Sequence, residues 1–238
     1  MKRTPLNPFL WLTVFVGCSG LLTTTPQPVS GQTNSAVVQQ LNELKKAKQL
    51  NQQVIQLYQQ GKYNEAIPIA ERVLEIRERL LGENHLNVAS SMAWLAGLYS
   101  SQGRYSQAEP LYKQALEMRQ KLLGTEHPSV ASSLNNLAYL YSSQGRYSQA
   151  EPLYKQALEM RQKLLGTEHP SVASSLNNLA YLYQVQGDTT QAINFLSRGL
   201  EVQEQNLNVL LATGSERQKQ DSMKTVSGTS LICSFSAY

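Results

Sequence analysis

Three histidines, His85, His127 and His169, and two cysteines, Cys18 and Cys233, are the residues of this chain best equipped for chemistry. Imidazoles and thiols together hold zinc, or form a nucleophile–base pair. Their spacing argues against both uses. The histidines stand 42 residues apart, at one place in three successive segments. A metal ion needs its ligands within about 2 Å of itself. Equivalent atoms of stacked helical units lie at least a helix diameter apart, roughly 10 Å. Each histidine is read instead as ordering the loop before the next helix, with His127 or Thr125 as that helix's cap. Glu83, Glu126 and Glu168 are placed near the positive end of the same helices. Cys233 lies in a polar stretch, apart from any histidine. The chain holds no glycine-rich phosphate loop, serine elbow or zinc-type cysteine pairing. It is read as non-catalytic, with no metal and no cofactor.

The same period governs the elements that position every other side chain. Residues 100–141 and 142–183 are one 42-residue sequence written twice, and Gly61, Gly103, Gly145 and Gly187 keep that period across four units. Within one unit, Val130, Leu134, Leu137, Ala138 and Tyr141 recur at helical spacing as a buried stripe. Gly145 suits the left-handed residue that ends a helix. Tyr147, Ala150, Tyr154, Ala157, Leu158, Met160 or Arg161, Leu164 and Leu165 make a second stripe. Ser148 with Glu151 reads as a capping box at its start. Pro152 is expected close enough to that start to be tolerated. Lys155, Glu159, Arg161 and Lys163 alternate in charge as a solvated helix face does. Each unit is thus a pair of antiparallel helices, and only stacking buries both apolar faces. No strand pattern occurs between residues 35 and 212.

Leu134, Leu137, Ala138, Tyr141, Gly145, Tyr147, Ala150, Tyr154 and Ala157 follow the order of the tetratricopeptide repeat, which this chain resembles from about Lys48 to about residue 212. Its period exceeds the usual 34 of that family by eight residues, through EMRQKLLG and the loop TEHPSVA. That longer form resembles the repeats of kinesin light chains and their bacterial relatives. The resemblance implies an all-α, right-handed solenoid of antiparallel helix pairs that binds a protein or peptide on its concave face. A second likeness concerns Leu210–Gln220, which looks like the junction before a caspase-like peptidase domain of the CHAT type. It implies a rival reading, the sensor half of a truncated peptidase. A third reading is a structural array that associates with itself.

The inner face of such a stack is lined by the first helix of each unit. Its positions outside the core stripe are Ser132, Asn135, Asn136, Tyr139 and Ser143, then Ser174, Asn177, Asn178, Tyr181 and Val185 one unit later. One unit earlier they are Ser90, Ala93, Trp94, Gly97 and Ser101. Adjacent asparagines in mid-helix cost stability, because their amides compete with the backbone. In the kinesin-light-chain-like relatives an Asn here bonds the backbone of an extended peptide. That resemblance implies partner-binding roles for Asn136 and Asn178 first, and for Asn135 and Asn177 next. The alternative is that these amides satisfy a neighbouring helix. Trp94 is read as a groove anchor or as core. Lys48 is the main charge on this face, so a strong clamp for a free carboxylate is not expected.

Three segments follow: residues 1–32 as an export or lipoprotein signal, 33–212 as the four-unit array, and 213–238 as a polar tail, expected to be partly disordered. Lys2, Arg3 and the apolar FLWLTVFV run resemble a signal peptide, too short to span a bilayer well. Cleavage after Val29-Ser30-Gly31 would release an exported protein, periplasmic or extracellular. Lipidation at Cys18, or an uncleaved anchor, would hold it at a membrane. Of 21 basic residues against 17 acidic, Lys2 and Arg3 fall in that segment, so the remaining excess is too small to argue for nucleic acid. In the first unit Gln53 stands where Leu95 and Leu137 stand, as an end cap requires. In the fourth, Thr189, Leu196 and Gly199 replace the expected Tyr, Tyr and Ala.

Overall fold

The computed structural model describes residues 30–213, with side chains from residue 35. Of the segment 1–32 read as a signal, residues 30–32 begin the first helix and residues 1–29 lie outside the described residues. So do Cys18, Cys233, the tail from Gly214, and most of the Leu210–Gln220 junction. The described residues form eight helices: α1 (Ser30–Gln59), α2 (Tyr63–Leu81), α3 (Leu86–Ser101), α4 (Tyr105–Leu123), α5 (Pro128–Ser143), α6 (Tyr147–Leu165), α7 (Pro170–Val185) and α8 (Thr189–Thr213). Residues 39–213 hold the repeat array. In the short part of α1 that precedes it, Val37 and Val38 are exposed.

Local chemistry sets the helix ends. His127 caps α5: its Nδ1 accepts the Ser129 N–H at 3.0 Å, and Pro128 follows where no intrahelical donor is needed. His85 and His169 do the same for α3 and α7. At the other end of α5, the Arg146 N–H bonds the Tyr141 carbonyl and the Gly145 N–H bonds that of Ser142. This is a Schellman closure with Gly145 at φ 72°. Gly166, at φ 86° and ψ 157°, turns the chain from α6 toward the next unit in a conformation essentially confined to glycine.

Several local expectations are corrected. No capping box forms at α6. Arg146 is the N-cap residue and its side chain makes no cap bond, while Glu151 is drawn to Lys155 and Tyr183. Pro152 lies inside α6 rather than in its first turn. It and Ser148 are exposed, so the carbonyl it leaves unpaired meets water. Glu126, one residue before the α5 cap, also pairs with Lys163 of the following unit at 2.6 Å. Leu164 is 37% exposed, so the stripe is not buried to its end.

Within units, α3 packs on α4, α5 on α6 and α7 on α8; between units, α2 meets α3, α4 meets α5 and α6 meets α7. One buried cluster runs from Val54 through Tyr99, Tyr112, Tyr141 and Tyr154 to Val202. Ala96, Ala108, Ala138 and Ala150 have no exposed surface at all, which lets the helix axes approach. Each large apolar side chain so buried contributes about 1.5–3 kcal/mol. Polar ties reinforce the junctions. Glu109 accepts from the Tyr141 hydroxyl at 3.2 Å and from Arg146 at 2.7 Å, and the Arg146 guanidinium lies 4.1 Å from the Tyr141 ring centre. Arg146 and Lys113 hold the Glu109 carboxyl down to about 2.

Candidate binding groove

The first helices α3, α5 and α7 share one face of the array. Tyr139 and Tyr181, on α5 and α7, are 52% and 53% exposed there. In unit two the same place is Gly97, where even an added Cβ would stand 3.3 Å from the Tyr112 hydroxyl. The missing tyrosine leaves a cavity of about 410 Å³, lined by Tyr58, Trp94, Gly97, Tyr112, Arg119 and Asn136, with serines 90 and 132 at its edges. Trp94 is half-buried, edge-on to Tyr58 at 5.8 Å. It is neither free anchor nor full core: it forms one wall of the cavity.

The asparagines divide by neighbour. Asn178 donates from Nδ2 to Asn135 Oδ1 at 2.7 Å, so this pair ties α7 to α5. Asn136 lies against the cavity. Asn177 turns toward α8, where Gly199 makes room for it. A Cβ at 199 would meet Asn177 Oδ1 at 2.4 Å, and that oxygen is buried without a hydrogen bond. With Tyr181, Ile193 and Leu196, Asn177 also lines a smaller hollow of about 360 Å³ between α7 and α8. The seven candidate residues are therefore not one cluster. Trp94 and Asn136 share a cavity, Asn135 and Asn178 bond each other, and Asn177 and Tyr181 sit at the last unit.

Arginine is the feature that the sequence reading placed wrongly. Arg161, assigned in part to a solvated face, is 9% exposed. Its guanidinium donates to Ser175 Oγ at 2.8 Å and the Ser171 carbonyl at 3.0 Å, both on α7. Arg119 donates to Ser133 Oγ at 2.6 Å and, more weakly, reaches Ser90 Oγ at 3.4 Å. Arg77 donates to Ser91 Oγ at 2.7 Å. Burial pushes all three below the usual arginine range, with no carboxylate offsetting it. Among the described residues none of the three takes part in an ion pair. The groove thus has a row of unneutralised cations under its floor, and Arg119 is open to the cavity. The signal was present in the sequence: arginine at period 42 with serine 14 residues later. Among the described residues no cluster of His, Cys, Asp and Glu is placed to hold a metal ion.

A tetratricopeptide repeat model matches residues 50–121, 92–163 and 129–205, and the chain belongs to the tetratricopeptide repeat family. Its fold is the right-handed solenoid of antiparallel helix pairs, the architecture of a protein–protein interaction scaffold. It is similar to the crystal structure of nearly identical TPR-like repeats from a Podosopora anserina protein described as a kinesin light chain. The identity is 26% and the TM-score 0.59, over 78% of this chain and 95% of that one. It also shares its fold with BtubC (BKLC) from P. vanneervenii, at 22% identity and TM-score 0.60, over 87% of each chain. A further structure of this fold is a Rap protein complexed with Competence and Sporulation Factor, at 17% identity and TM-score 0.62, over 81% of this chain and 56% of that one. No curated protein matches the sequence.

Proposed function

We propose that the array holds an extended segment of a protein partner along the face of α3, α5 and α7, with the cavity of unit two as its anchor. The observation that carries this reading is Arg119. It is a half-buried guanidinium without an acidic partner, on the wall of an open, aromatic-lined cavity. A buried cation gains most from a charge-assisted hydrogen bond. The favoured segment therefore places a carboxylate over Arg119, beside a large apolar side chain against Trp94 and Tyr58. Asn136 and the exposed Tyr139 are placed to bond the segment's backbone, while the Asn135–Asn178 pair keeps α5 and α7 in register. This departs from the expectation of a face without a carboxylate clamp, because Arg119 reaches the cavity from α4. Export through the N-terminal segment, with or without lipidation at Cys18, is part of the same proposal.

Selection from a random peptide library on the full chain tests the reading. Enriched sequences are expected to share an acidic residue next to a large apolar one. Gly97→Tyr fills the cavity with the side chain that units three and four carry. It should weaken binding by at least about tenfold, a normal loss for a central anchor, with helicity unchanged. The double change Asn136→Leu and Asn178→Leu should weaken it too. Selected peptides that bind both variants as well as the parent would place the site elsewhere.

A further inference from the structure

Helix α8 carries a second apolar face that the array leaves uncovered. Its inner side is spent on α7: Phe195 stacks on Tyr183 with ring centres 5.5 Å apart, and Gly199 and Val202 are buried. Beside that side runs a row formed by Ile193, Leu196, Leu200, Gln203, Leu207 and Leu210. Ile193, Leu196 and Leu200 are 61%, 39% and 51% exposed, and Gln203, Leu207 and Leu210 are half-buried. One period earlier, Tyr154 and Leu158 occupy the places of Leu196 and Leu200 and are 1% and 7% exposed, because α7 lies over them. The uncovered row is therefore the face on which interior units receive an antiparallel helix.

The spacing within the row is 3-4-3-4-3, the seam of a two-stranded coiled coil. It reads the same from either end. Two copies of α8 laid antiparallel place Ile193 opposite Leu210, Leu196 opposite Leu207 and Leu200 opposite Gln203. No seam residue is left without a counterpart. We propose that α8 pairs with α8 of a second copy about a two-fold axis that crosses the helix between residues 201 and 202. A two-fold pair closes on itself, which is the commonest form of homo-oligomer. The chain after Thr213 is a poorer cover: its large apolar side chains are Met223, Val226, Leu231, Ile232, Phe235 and Tyr238, which do not keep the alternating spacing of the row. The seam is about 26 Å long and so near the lower limit of roughly 1,000 Å² for a specific interface. The dimer is accordingly weak; it leaves the groove of α3 and α5 open and covers the hollow that Ile193 and Leu196 share with Asn177 and Tyr181.

Sedimentation equilibrium of the full chain over a wide concentration range tests the pairing. A reversible monomer–dimer equilibrium is expected, and Leu200→Glu should abolish it while leaving helicity and the thermal transition of the array in place. Orientation is read in a chain with Cys18 and Cys233 changed to Ser. Copies carrying Ile193→Cys should crosslink to copies carrying Leu210→Cys, and not to each other, since like positions would lie about 26 Å apart. A monomer at every concentration would overturn the proposal, including one that dimerises only after residues 214–238 are removed. So would a dimer indifferent to Leu200→Glu, or assemblies that grow beyond two copies, the signature of head-to-tail stacking.

Discussion

Helices α4–α5 and α6–α7 lie almost wholly within two copies of the same 42 residues and do not have the same surroundings. Leu158 and Met160 are buried, whereas their counterparts Leu116 and Met118 are half-buried. Arg161 is enclosed, while Arg119 opens on a cavity. Asn178 finds Asn135, but Asn136 and Asn177 find a cavity and a glycine. The cause lies outside the duplicated sequence, in the units on either side. Unit two supplies Trp94 and Gly97 where unit three has Asn136 and Tyr139, and α8 supplies Gly199 where α6 has Ala157. A repeat carries its own helices; its neighbours decide which of its side chains are available.

The largest test of this difference is a pair of truncations. Leu158→Ala should cost about 3 kcal/mol and Leu116→Ala about half of that, since only the first leaves a closed cavity. Urea unfolding of each variant measures it, and equal losses would mean that the two copies are energetically alike. Next is the arginine pair. Arg161→Met should cost about 2 kcal/mol, because it strips the fully buried Ser175 hydroxyl of its donor. Arg119→Met should cost less than about 1 kcal/mol, but should remove binding of any acidic peptide selected on the groove. A smaller effect belongs to Gly199→Ala, which crowds Asn177 and should destabilise by about 1 kcal/mol. Adding Asn177→Ala should recover that loss, and a strictly additive double variant would break the assigned contact.

The smallest effect is a pH dependence confined to one junction. The Glu109 carboxyl is held down to about 2, first by Arg146 and then by Lys113. A group lowered in the folded state stabilises above its unfolded value. That stabilisation is lost as the pH falls from about 4.5 toward 2. At the next junction, Asp188 stands one period after Arg146, and Glu151 relies on Lys155 and Tyr183. Arg146→Asp should therefore flatten the acid side of the melting-temperature profile, and Asp188→Arg should steepen it. Profiles that overlay the parent's would sever the link between Glu109 and acid stability.

Much of the helical frame is legible in the residues themselves. Periodic Leu, Ala and Tyr place the buried stripes, and glycine at a fixed period places the turns. Histidine before proline places the caps of α5 and α7. These are contacts within one unit or its immediate copy, so the period that writes them also reveals them. The capping box at Ser148 failed because the helix starts earlier, with Arg146 at its cap. Ser148 therefore lies inside it, and Glu151 turns to Lys155 of its own helix and Tyr183 of the next unit.

By itself the sequence determined the all-α repeat, its four units, the glycines of the turns between helices and the face that carries Asn and Tyr. Only the tertiary structure decided that Gly97 opens a cavity, that Arg119 stands unneutralised beside it, that Asn135 is spent on Asn178, and that α8 leaves Ile193, Leu196 and Leu200 exposed. The physical reason is the range of the interactions. Helix periodicity and capping act within a few residues along the chain. Burial and charge compensation depend on which side chain arrives from another helix, 14 to 43 positions away in the groove, and a repeated sequence is silent about that difference.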